Sequence, residues 1–199
     1  MNVHTTTGRF RLGIGLSLLT AFLWGVAPIA LKVVLGGMDP YTVSWYRYLI
    51  SAGVLSFFVY KKHGRPSLTK LRGSIPWLLL IAVAGLSSNQ ILFLTGLDHL
   101  NPSSAAVIIQ TAPMFLVIGG IVLFKERYSP RQFTGLAILI LGLVLFFNQR
   151  LHEIFSSLGE YTLGILLVLA AGLLWATYAL AQKQLLKTFP SETIMLVIY

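Results

Sequence analysis

Long apolar stretches alternate with short polar segments along this chain. The first stretch runs from Gly13 to Lys32 and carries no charge before its last residue. At about 1.5 Å per residue, a helix of this length crosses the ~30 Å hydrocarbon core of a bilayer. The same pattern predicts five further transmembrane helices and the beginning of a seventh at Pro190. The predicted helices cover residues 12–35, 41–60, 75–97, 103–124, 131–147 and 161–181.

The first apolar stretch recurs late in the chain. Residues 13–32 are GIGLSLLTAFLWGVAPIALK, and residues 164–183 are GILLVLAAGLLWATYALAQK. The recurrence matches Trp24 with Trp175 and Lys32 with Lys183. Five predicted helices separate the two starts, and because five is odd the two copies enter the membrane from opposite sides. The pattern therefore predicts an all-α transmembrane bundle with an inverted-topology repeat, in which a substrate site lies near the midplane.

These boundaries divide the chain into four parts. We expect a cytoplasmic leader at residues 1–11, a first five-helix repeat at 12–147, a linker at 148–160 and the start of a second repeat at 161–199. The second repeat is incomplete, because a unit that matches the first needs about three and a half more helices of about 20 residues each.

Small residues also recur in the first predicted helix. Gly13, Ser17, Ala21 and Gly25 occupy every fourth position, so they share one helix face. Small side chains allow two helix backbones to approach closely in a membrane. We therefore expect a neighbouring helix to pack along this face.

Composition and charge agree with a membrane protein. The chain is 56% hydrophobic and 11% charged, whereas soluble domains are about 45–50% apolar and about 25% charged. A net charge of +9 could indicate nucleic-acid binding in a soluble domain. Here the basic residues lie between apolar runs, where they indicate topology. We predict a multi-pass inner-membrane protein with a cytoplasmic N-terminus, because this orientation leaves only Lys32 and Arg150 outside and puts the basic segment 61–72 inside.

Arg47 lies about seven residues into the second predicted helix. A cation near the centre of a membrane costs about 2.5–3.5 kcal/mol on insertion scales, so Arg47 should face a hydrated cavity or a partner. It could be the counter-charge of a substrate carboxylate, or it could bond backbone carbonyls at a helix junction. The sequence leaves both interpretations open.

Uncharged amides are also expensive to leave unpaired in hydrocarbon. Asn89 in the third predicted helix and Gln110 in the fourth could bind a zwitterionic substrate. They could equally tie helices together, a role worth about 0.6 kcal/mol on average. Gln90 points about 100° away from Asn89 on a helix, so we do not expect both to line one cavity.

Aromatic residues and prolines complete the candidate site. Trp24, Trp175 and Tyr178 lie in the middle of predicted helices, where they could form an aromatic wall or simply pack. Pro28 and Pro113 interrupt helical hydrogen bonding, which can hinge a helix or only bend it. The predicted substrate-binding residues are therefore Trp24, Pro28, Arg47, Asn89, Gln110, Trp175 and Tyr178.

Every acidic residue lies at a predicted helix end or in a loop. A proton-coupled exporter of cationic drugs needs an acid within the membrane, so the sequence favours neutral, zwitterionic or anionic solutes. Glu126, between Lys125 and Arg127, could latch a gate or belong to a solvated ion cluster. We find no nucleophile with its base, no phosphate-binding glycine loop and no histidine pair at metal-ligand spacing. We expect no catalytic residue, metal or other cofactor.

Several motifs follow one another along the chain. They are Trp24, Gly25 and Pro28; Asp39 and Pro40 followed by Trp45, Tyr46 and Arg47; the run from Asn101 to Ala106 with Pro113; Lys125, Glu126 and Arg127 with Gly135 and Gly142; and Trp175 in the second copy. In this order they resemble the EamA-like branch of the drug/metabolite transporter superfamily. The resemblance implies a ten-helix protein made of two five-helix repeats. It also implies export or exchange of small metabolites such as amino acids.

We therefore expect a membrane transporter that works by alternating access at a midplane cavity bounded by predicted helices one, three, four and six. Its partners are a small-molecule substrate and membrane lipids, with no nucleic acid; a monomer and a homodimer are both compatible with the sequence. Two alternatives are a membrane scaffold without transport activity and an embedded lipid-modifying enzyme. The enzyme would be expected to place Asp, Glu or His clusters at the membrane surface.

Overall fold

A computed structural model describes residues 10–63, 73–126, 128–148 and 159–199. Several features of the sequence lie outside the described residues. They are most of the leader, most of the linker, and the basic residues Arg65, Lys70, Arg72 and Arg127. The domain boundaries at residues 11 and 148–160 therefore stay predictions.

The described residues form helices joined by short turns, and none of them lies in a β-strand, which confirms the all-α fold class. The helices are α1 (Phe10–Leu35), α2 (Pro40–His63), α3 (Ile75–His99), α4 (Pro102–Ile108), α5 (Ala112–Phe124), α6 (Pro130–Asn148), α7 (Glu160–Leu185) and α8 (Ser191–Ile198), and a 3₁₀ turn, Ile109–Thr111, joins α4 to α5.

Four helical segments of the described chain are long and apolar enough to cross a membrane. They are Arg11–Leu35, Ile75–His99, Pro102–Phe124 and Tyr161–Leu185. These confirm the predicted helices one, three, four and six by length and composition. The segment Pro130–Phe146 is apolar but shorter, and α2 is long but more polar, with Arg47 in its first half. That α2 and α6 cross the membrane stays a prediction.

The turn between α1 and α2 is set by Asp39 and Pro40. One Asp39 carboxylate oxygen accepts hydrogen bonds from the backbone N–H groups of Tyr41 at 2.9 Å and Thr42 at 3.0 Å. This is an N-cap, and proline is well suited to the first helical position because it has no N–H to leave unpaired. The Thr42 hydroxyl also donates to the carboxylate, which holds the pKa of Asp39 below its ordinary value.

The fourth predicted helix contains a 3₁₀ turn at its middle. Pro113 has no N–H to donate to the carbonyl of Ile109, and that carbonyl instead accepts from Ala112 in a 3₁₀-type bond. The chain therefore forms α4, a 3₁₀ turn and α5 in succession. Pro28, by contrast, lies within the unbroken helix α1.

Helices α3 and α7 form the most extensive contact between described elements. A Cβ atom on Gly96 would lie 2.9 Å from the carbonyl oxygen of Gly164, and one on Gly164 would lie 3.0 Å from that of Gly96. Only glycine permits this approach. Further along, Gly85 packs against Tyr178. Because the α3 number falls as the α7 number rises, the two helices are antiparallel.

The direction of α1 follows from Lys32 at its C-terminal end. The Lys32 ammonium donates to the backbone carbonyl of Leu97 at 2.9 Å, near the C-terminal end of α3. Trp24, earlier on α1, contacts Trp175 of α7, which lies level with the middle of α3. The two contacts together show that α1 runs in the direction of α3 and opposite to α7. The two helices that carry the repeated sequence are thus antiparallel, as an inverted repeat requires.

The predicted small-residue seam of α1 has no neighbouring helix among the described residues, so packing along it stays a prediction. Ser17 and Ala21 are exposed, and a Cβ atom on Gly13 or Gly25 would meet no atom within 4 Å. Fourfold spacing indicates only that such residues share a face, whereas a neighbouring helix must also be present. The close helix approach occurs instead between α3 and α7.

Apolar clusters lie toward the two ends of the α3–α7 pair. One joins Leu86 and Ala82 of α3 to Leu185 of α7 and Ile194 of α8. The other joins Leu97 of α3 to α4 and to the first half of α7. Between these clusters lie the polar residues described next.

Candidate functional site

Asn89 connects α3 to α7 at the middle of both helices. Its side-chain N–H group donates to the backbone carbonyl of Ala171 at 2.7 Å. The residue is buried, with 6% of its surface exposed. Asn89 therefore makes the helix-tying contact that the sequence offered as one of its two interpretations, and its role toward a substrate stays a prediction.

Gln90, the next residue, faces a different neighbour. Its side-chain oxygen accepts a hydrogen bond from the Arg47 guanidinium at 2.8 Å, which joins α3 to α2. The Tyr48 hydroxyl donates to the backbone carbonyl of Leu86 at 3.1 Å. Tyr48 thus contacts the middle of α3. A small polar pocket here is lined by Ser44, Arg47, Tyr48, Ser51, Gln90 and Tyr199.

The two tryptophans matched by the repeat contact each other. The ring centroids of Trp24 and Trp175 lie 6.4 Å apart, with the ring planes at 82° in an edge-to-face arrangement. This geometry is favourable for aromatic pairs because the positive ring edge meets the negative ring face. Trp24 is 63% exposed, whereas Trp175 is half-buried. The pair therefore offers an open aromatic surface.

The other candidates differ in exposure. Tyr178 is buried, and its hydroxyl donates to the Met195 sulfur at 3.2 Å, so it connects α7 to α8. Pro28 is buried on α1, and Gln110 is exposed within the 3₁₀ turn. Tyr178 and Pro28 thus lie in packed surroundings, whereas Gln110 is exposed.

Helix register places most of the candidates at one level of the bundle. Asn89 is level with Ala171, and Gly172 packs against Thr111, the neighbour of Gln110. Lys32 is level with Leu97, so Trp24, eight residues earlier on the parallel helix α1, lies near the level of Asn89. Arg47 is level with Gln90. Polar and aromatic side chains therefore share the middle of the bundle. Arg47 of α2, however, contacts a different face of α3 from the one that carries Asn89.

The sequence missed the pocket beside α2. The predicted substrate-binding residues include Arg47 but not Ser44, Tyr48, Ser51 or Gln90. The signal was present, because residues 44, 47, 48 and 51 have the spacing of one helix face. What the sequence could not show is that Gln90 and Tyr199 would face these residues.

Charged pairs lie at the two ends of the bundle. At the C-terminal end of α7 the Lys183 ammonium pairs with the Glu126 carboxylate, just beyond α5. The hydrogen bond from Lys183 holds the pKa of Glu126 below its ordinary value. The Tyr128 hydroxyl also donates to Glu126 at 3.2 Å, and burial raises the pKa of Tyr128. At the opposite end, Lys32 donates to the α3 carbonyls of Leu97 and Asp98.

Metal-ligand chemistry finds no support in the part of the chain that the structure describes. No three His, Asp or Glu side chains come together there as a metal site requires. The chain contains no cysteine. The arrangement at mid-level supplies hydrogen bonds, one cation and aromatic surface, which are means of binding a small solute.

Comparison with known proteins identifies relatives of this chain. An uncharacterized transporter of Haemophilus influenzae is 41% identical over 189 residues, which cover 94% of this chain and 61% of the relative. The uncharacterized inner membrane transporter YhbE of Escherichia coli is 39% identical, with 94% of this chain and 59% of YhbE covered. A probable amino-acid metabolite efflux pump of Salmonella typhimurium is 26% identical over 90% of this chain and 56% of the pump. No solved structure matches the chain significantly.

The chain is thus shorter than these proteins, since it spans 61% of the Haemophilus relative and 59% of YhbE. The sequence profile of the EamA-like transporter family matches residues 11–148, which is more than half of the chain. That match covers α1 to α6, and because the relatives match 94% of the chain, the likeness extends into α7. This chain therefore belongs to the EamA-like transporter family, whose members are membrane transporters and not enzymes.

Proposed function

We propose that this chain forms part of an inner-membrane transporter that exports or exchanges small metabolites by alternating access. Family membership supports transport. The inner-membrane location rests on the name of YhbE, and amino-acid-like solutes rest on the name of the Salmonella relative. The asymmetric distribution of Lys and Arg supports a cytoplasmic N-terminus.

The observation that carries this proposal is the contact between Trp24 and Trp175. These residues occupy matched positions of the repeated sequence, on helices that run in opposite directions. In transporters with inverted repeats the substrate lies near the midplane, where the two repeats meet. In this proposal the tryptophan pair lies at such a junction, and its exposed surface forms one wall of the pathway.

The remaining candidates have separate roles in this proposal. Gln110 presents its amide from a 3₁₀ turn, where the helix is interrupted and its groups can turn toward a solute. Asn89 holds α3 against α7 beside the pathway. Pro28 and Tyr178 shape its walls from α1 and α7. Arg47 supplies the positive charge.

Charge favours neutral, zwitterionic and anionic solutes over cationic drugs. The acidic residues that the structure describes lie at helix ends or just beyond them; they are Asp39, Asp98, Glu126, Glu160 and Glu192. A cation that crosses the middle of the described bundle would therefore meet Arg47 with no described carboxylate at that level to offset it. A solute with its own carboxylate, or with no net charge, does not face that repulsion.

Transport can be tested with the full chain reconstituted in proteoliposomes. We expect counterflow of radiolabelled amino acids, and a severalfold loss of initial rate in Trp175→Ala and in Trp24→Ala, because the aromatic wall is removed. Trp77→Ala is the matched control, since Trp77 is 68% exposed near the start of α3, far from the pair along the helix. Equal rates in all three variants would contradict a pathway at the tryptophan pair.

Cysteine labelling separates a transporter from a scaffold. The chain has no cysteine, so Gln110→Cys provides a single labelled position. We expect a membrane-impermeant maleimide to reach it from one face of the membrane, and the rate of labelling to change when a transported solute is added. Protection from both faces would favour the scaffold.

A further inference from the structure

Helix α5 is packed firmly at its start and loosely at its far end. At the start, Ala112 is buried, and the preceding helix α4 contributes Ala105 and Ile108 to the apolar cluster around Leu97. Toward the far end, the side chain of Leu123 is 65% exposed. The start of α5 is therefore anchored, whereas the position of its far end depends on contacts with α7.

The turn Ile109–Thr111 gives α5 a place to pivot. It is a 3₁₀ turn inside a longer helical segment, a feature that often marks a hinge. Pro113, in the first turn of α5, has no N–H to bond back to α4. Helix α5 has 13 residues and is about 20 Å long, so a tilt of about 15° at the turn would move its far end by about 5 Å.

The chain folds back on α5 just after Phe124. Lys125 adopts the left-handed conformation, with a φ of 53°, which is uncommon for a residue other than glycine. The Glu126 N–H group donates to the backbone carbonyl of Gly120 at 3.2 Å. A Cβ atom on Gly120 would lie 2.8 Å from both the Glu126 carboxylate and the Tyr128 hydroxyl. Glycine at this position thus leaves the space beside which the Glu126 carboxylate lies.

This carboxylate joins α5 to α7. It pairs with the ammonium of Lys183 in the last turn of α7, and it accepts a hydrogen bond from Tyr128 at 3.2 Å. The same ammonium lies 5.8 Å from the ring centre of Phe124. The side chains of Lys183 and Glu126 are 52% and 29% exposed, so water reaches the pair and its strength is modest. Such a pair breaks and re-forms more readily than the glycine contact between α3 and α7.

We propose that the pair of Glu126 and Lys183 is a gate latch. It holds the far end of α5 against α7 when the pathway is closed at this end, and α5 tilts at Ile109–Thr111 when the pair breaks. The helices that it joins are the predicted helices four and six, two walls of the proposed pathway. This end also carries the start of α1, so it is cytoplasmic in the predicted orientation. The inference rests on the proposed function and deepens it by naming the contact that controls access from the cytoplasm.

Double electron–electron resonance between two spin labels tests the gate latch on the full chain in lipid nanodiscs. The chain has no cysteine, so Leu123→Cys and Leu186→Cys provide labels at exposed positions near the ends of α5 and α7. We expect a shorter distance for the closed state and a longer one for the open state. Lys183→Met should lower the closed-to-open ratio about two- to fivefold, as expected for the loss of a partly exposed ion pair. Lys183→Glu should lower it further, because two carboxylates repel each other.

Two further variants separate a latch from an incidental surface pair. Combining Lys183→Glu with Glu126→Lys exchanges the charges and should restore the shorter distance. Gly120→Ala should favour the longer distance with both charges in place, because its Cβ displaces the ends of flexible side chains. If Lys183→Glu does not fold, as judged by its thermal melt, Lys183→Met and Gly120→Ala decide the question.

The controls remove a charge or add a methyl group elsewhere. Lys187→Met removes an exposed positive charge about one turn beyond Lys183. Gly135→Ala adds a Cβ on α6, where it meets no atom within 4 Å. Neither change should alter the distances. A second label pair, Leu80→Cys on α3 with Leu186→Cys, reports on α3 and α7 at the same end of the bundle, and its distance should stay constant in every variant.

Three results would overturn the gate latch. They are unchanged distances in both Lys183→Met and Lys183→Glu, no recovery on charge exchange, and equal lengthening in both label pairs, which would indicate general loosening. Counterflow of amino acids in proteoliposomes separates this inference from the proposed function. A latch that opens as expected in a protein without counterflow would contradict the proposed function alone. Counterflow with unchanged distances in all variants would contradict the gate latch alone.

Discussion

Helices α1 and α7 carry the same sequence pattern but lie in different surroundings. In the most apolar window of α1, 6% of the residues are buried, compared with 39% in that of α7. Helix α7 packs along α3, whereas α1 touches its neighbours mainly near its C-terminal end. Equal patterns have thus given two helices of equal length and opposite direction, and only one of them lies at the centre of the described bundle.

Matched residues of the two helices show what this difference does. Gly164 lies against the backbone of α3, whereas Gly13 faces open space. Lys183 pairs with a carboxylate, whereas Lys32 bonds mainly backbone carbonyls. Of these matched pairs, only Trp24 and Trp175 contact each other. The repeat therefore specifies two membrane-crossing helices with an aromatic residue at mid-level, and the neighbouring helices specify the rest.

Substitution of Gly164 and of Gly13, which the repeat matches, should give the largest difference in melting temperature. Gly164→Leu places a side chain where a Cβ atom already lies 3.0 Å from the Gly96 carbonyl oxygen. Overpacking of this kind typically costs about 1–3 kcal/mol, so we expect a clear loss of the folded fraction. Gly13→Leu should be tolerated. Thermal melts of both variants in detergent measure the contrast, and equal melting temperatures would contradict the packing described here.

Substitution of Trp175 or Trp24 should have the second-largest effect on the melting temperature. An edge-to-face aromatic pair is worth about 0.5–1.5 kcal/mol beyond the area it buries. Trp175→Ala should lower the melting temperature more than Trp24→Ala, because Trp175 also packs in the core around Tyr178. In a double-mutant cycle the two changes should not be additive. Strict additivity would show that the rings do not interact.

Substitution of Asn89 tests the comparison of α7 with α1 at the contact between α3 and α7. Asn89→Ala removes the hydrogen bond to Ala171, and such bonds in membranes are worth about 0.6 kcal/mol on average. The position in α1 that matches Ala171 is Thr20, whose hydroxyl donates only within its own helix, to Leu16 at 2.8 Å. Thr20→Ala should therefore leave the melting temperature unchanged. A shift in Thr20→Ala equal to that in Asn89→Ala would contradict the assignment.

Substitution of Lys183 or Lys32, which the repeat matches, should have the smallest effect on the melting temperature. The dependence of that effect on pH should differ between the two lysines. The pKa of Glu126 is lowered by Lys183, so the pair stabilises the protein fully above the ordinary pKa of glutamate. That contribution is lost as pH falls through the lowered pKa of Glu126. Because the groups are partly exposed, Lys183→Met should cost only about 0.2–1 kcal/mol at neutral pH, and nothing in strong acid.

Lys32→Met provides the comparison for this prediction. Lys32 bonds backbone carbonyls, which do not titrate, and the nearest Asp98 carboxylate oxygen is 4.0 Å away. The effect of Lys32→Met should therefore depend less on pH. Melting temperatures across neutral and acidic pH test both variants, and parallel pH profiles would contradict the difference between the two ends.

Much of the architecture followed from the sequence. Uninterrupted apolar runs predicted the membrane-length helices, and Pro113 indicated where the fourth one is interrupted. The recurrence of Trp24 at Trp175 predicted two helices of opposite direction. Small residues share one face of α1, but spacing describes one helix surface and does not say which neighbour reaches it. Helix geometry separated Gln90 from Asn89, as the structure confirms, but it did not show that Arg47 would lie beside Gln90.

The sequence by itself determined that this is a helical membrane protein, how long its helices are, and that two of them repeat in opposite directions, because these properties depend on local composition and on counting. Tertiary structure alone decided that Gly96 meets Gly164, that Arg47 turns to Gln90 and that Asn89 binds Ala171. These contacts join residues far apart in the chain, and their partners depend on how each helix is rotated and displaced against its neighbours, which no local pattern records.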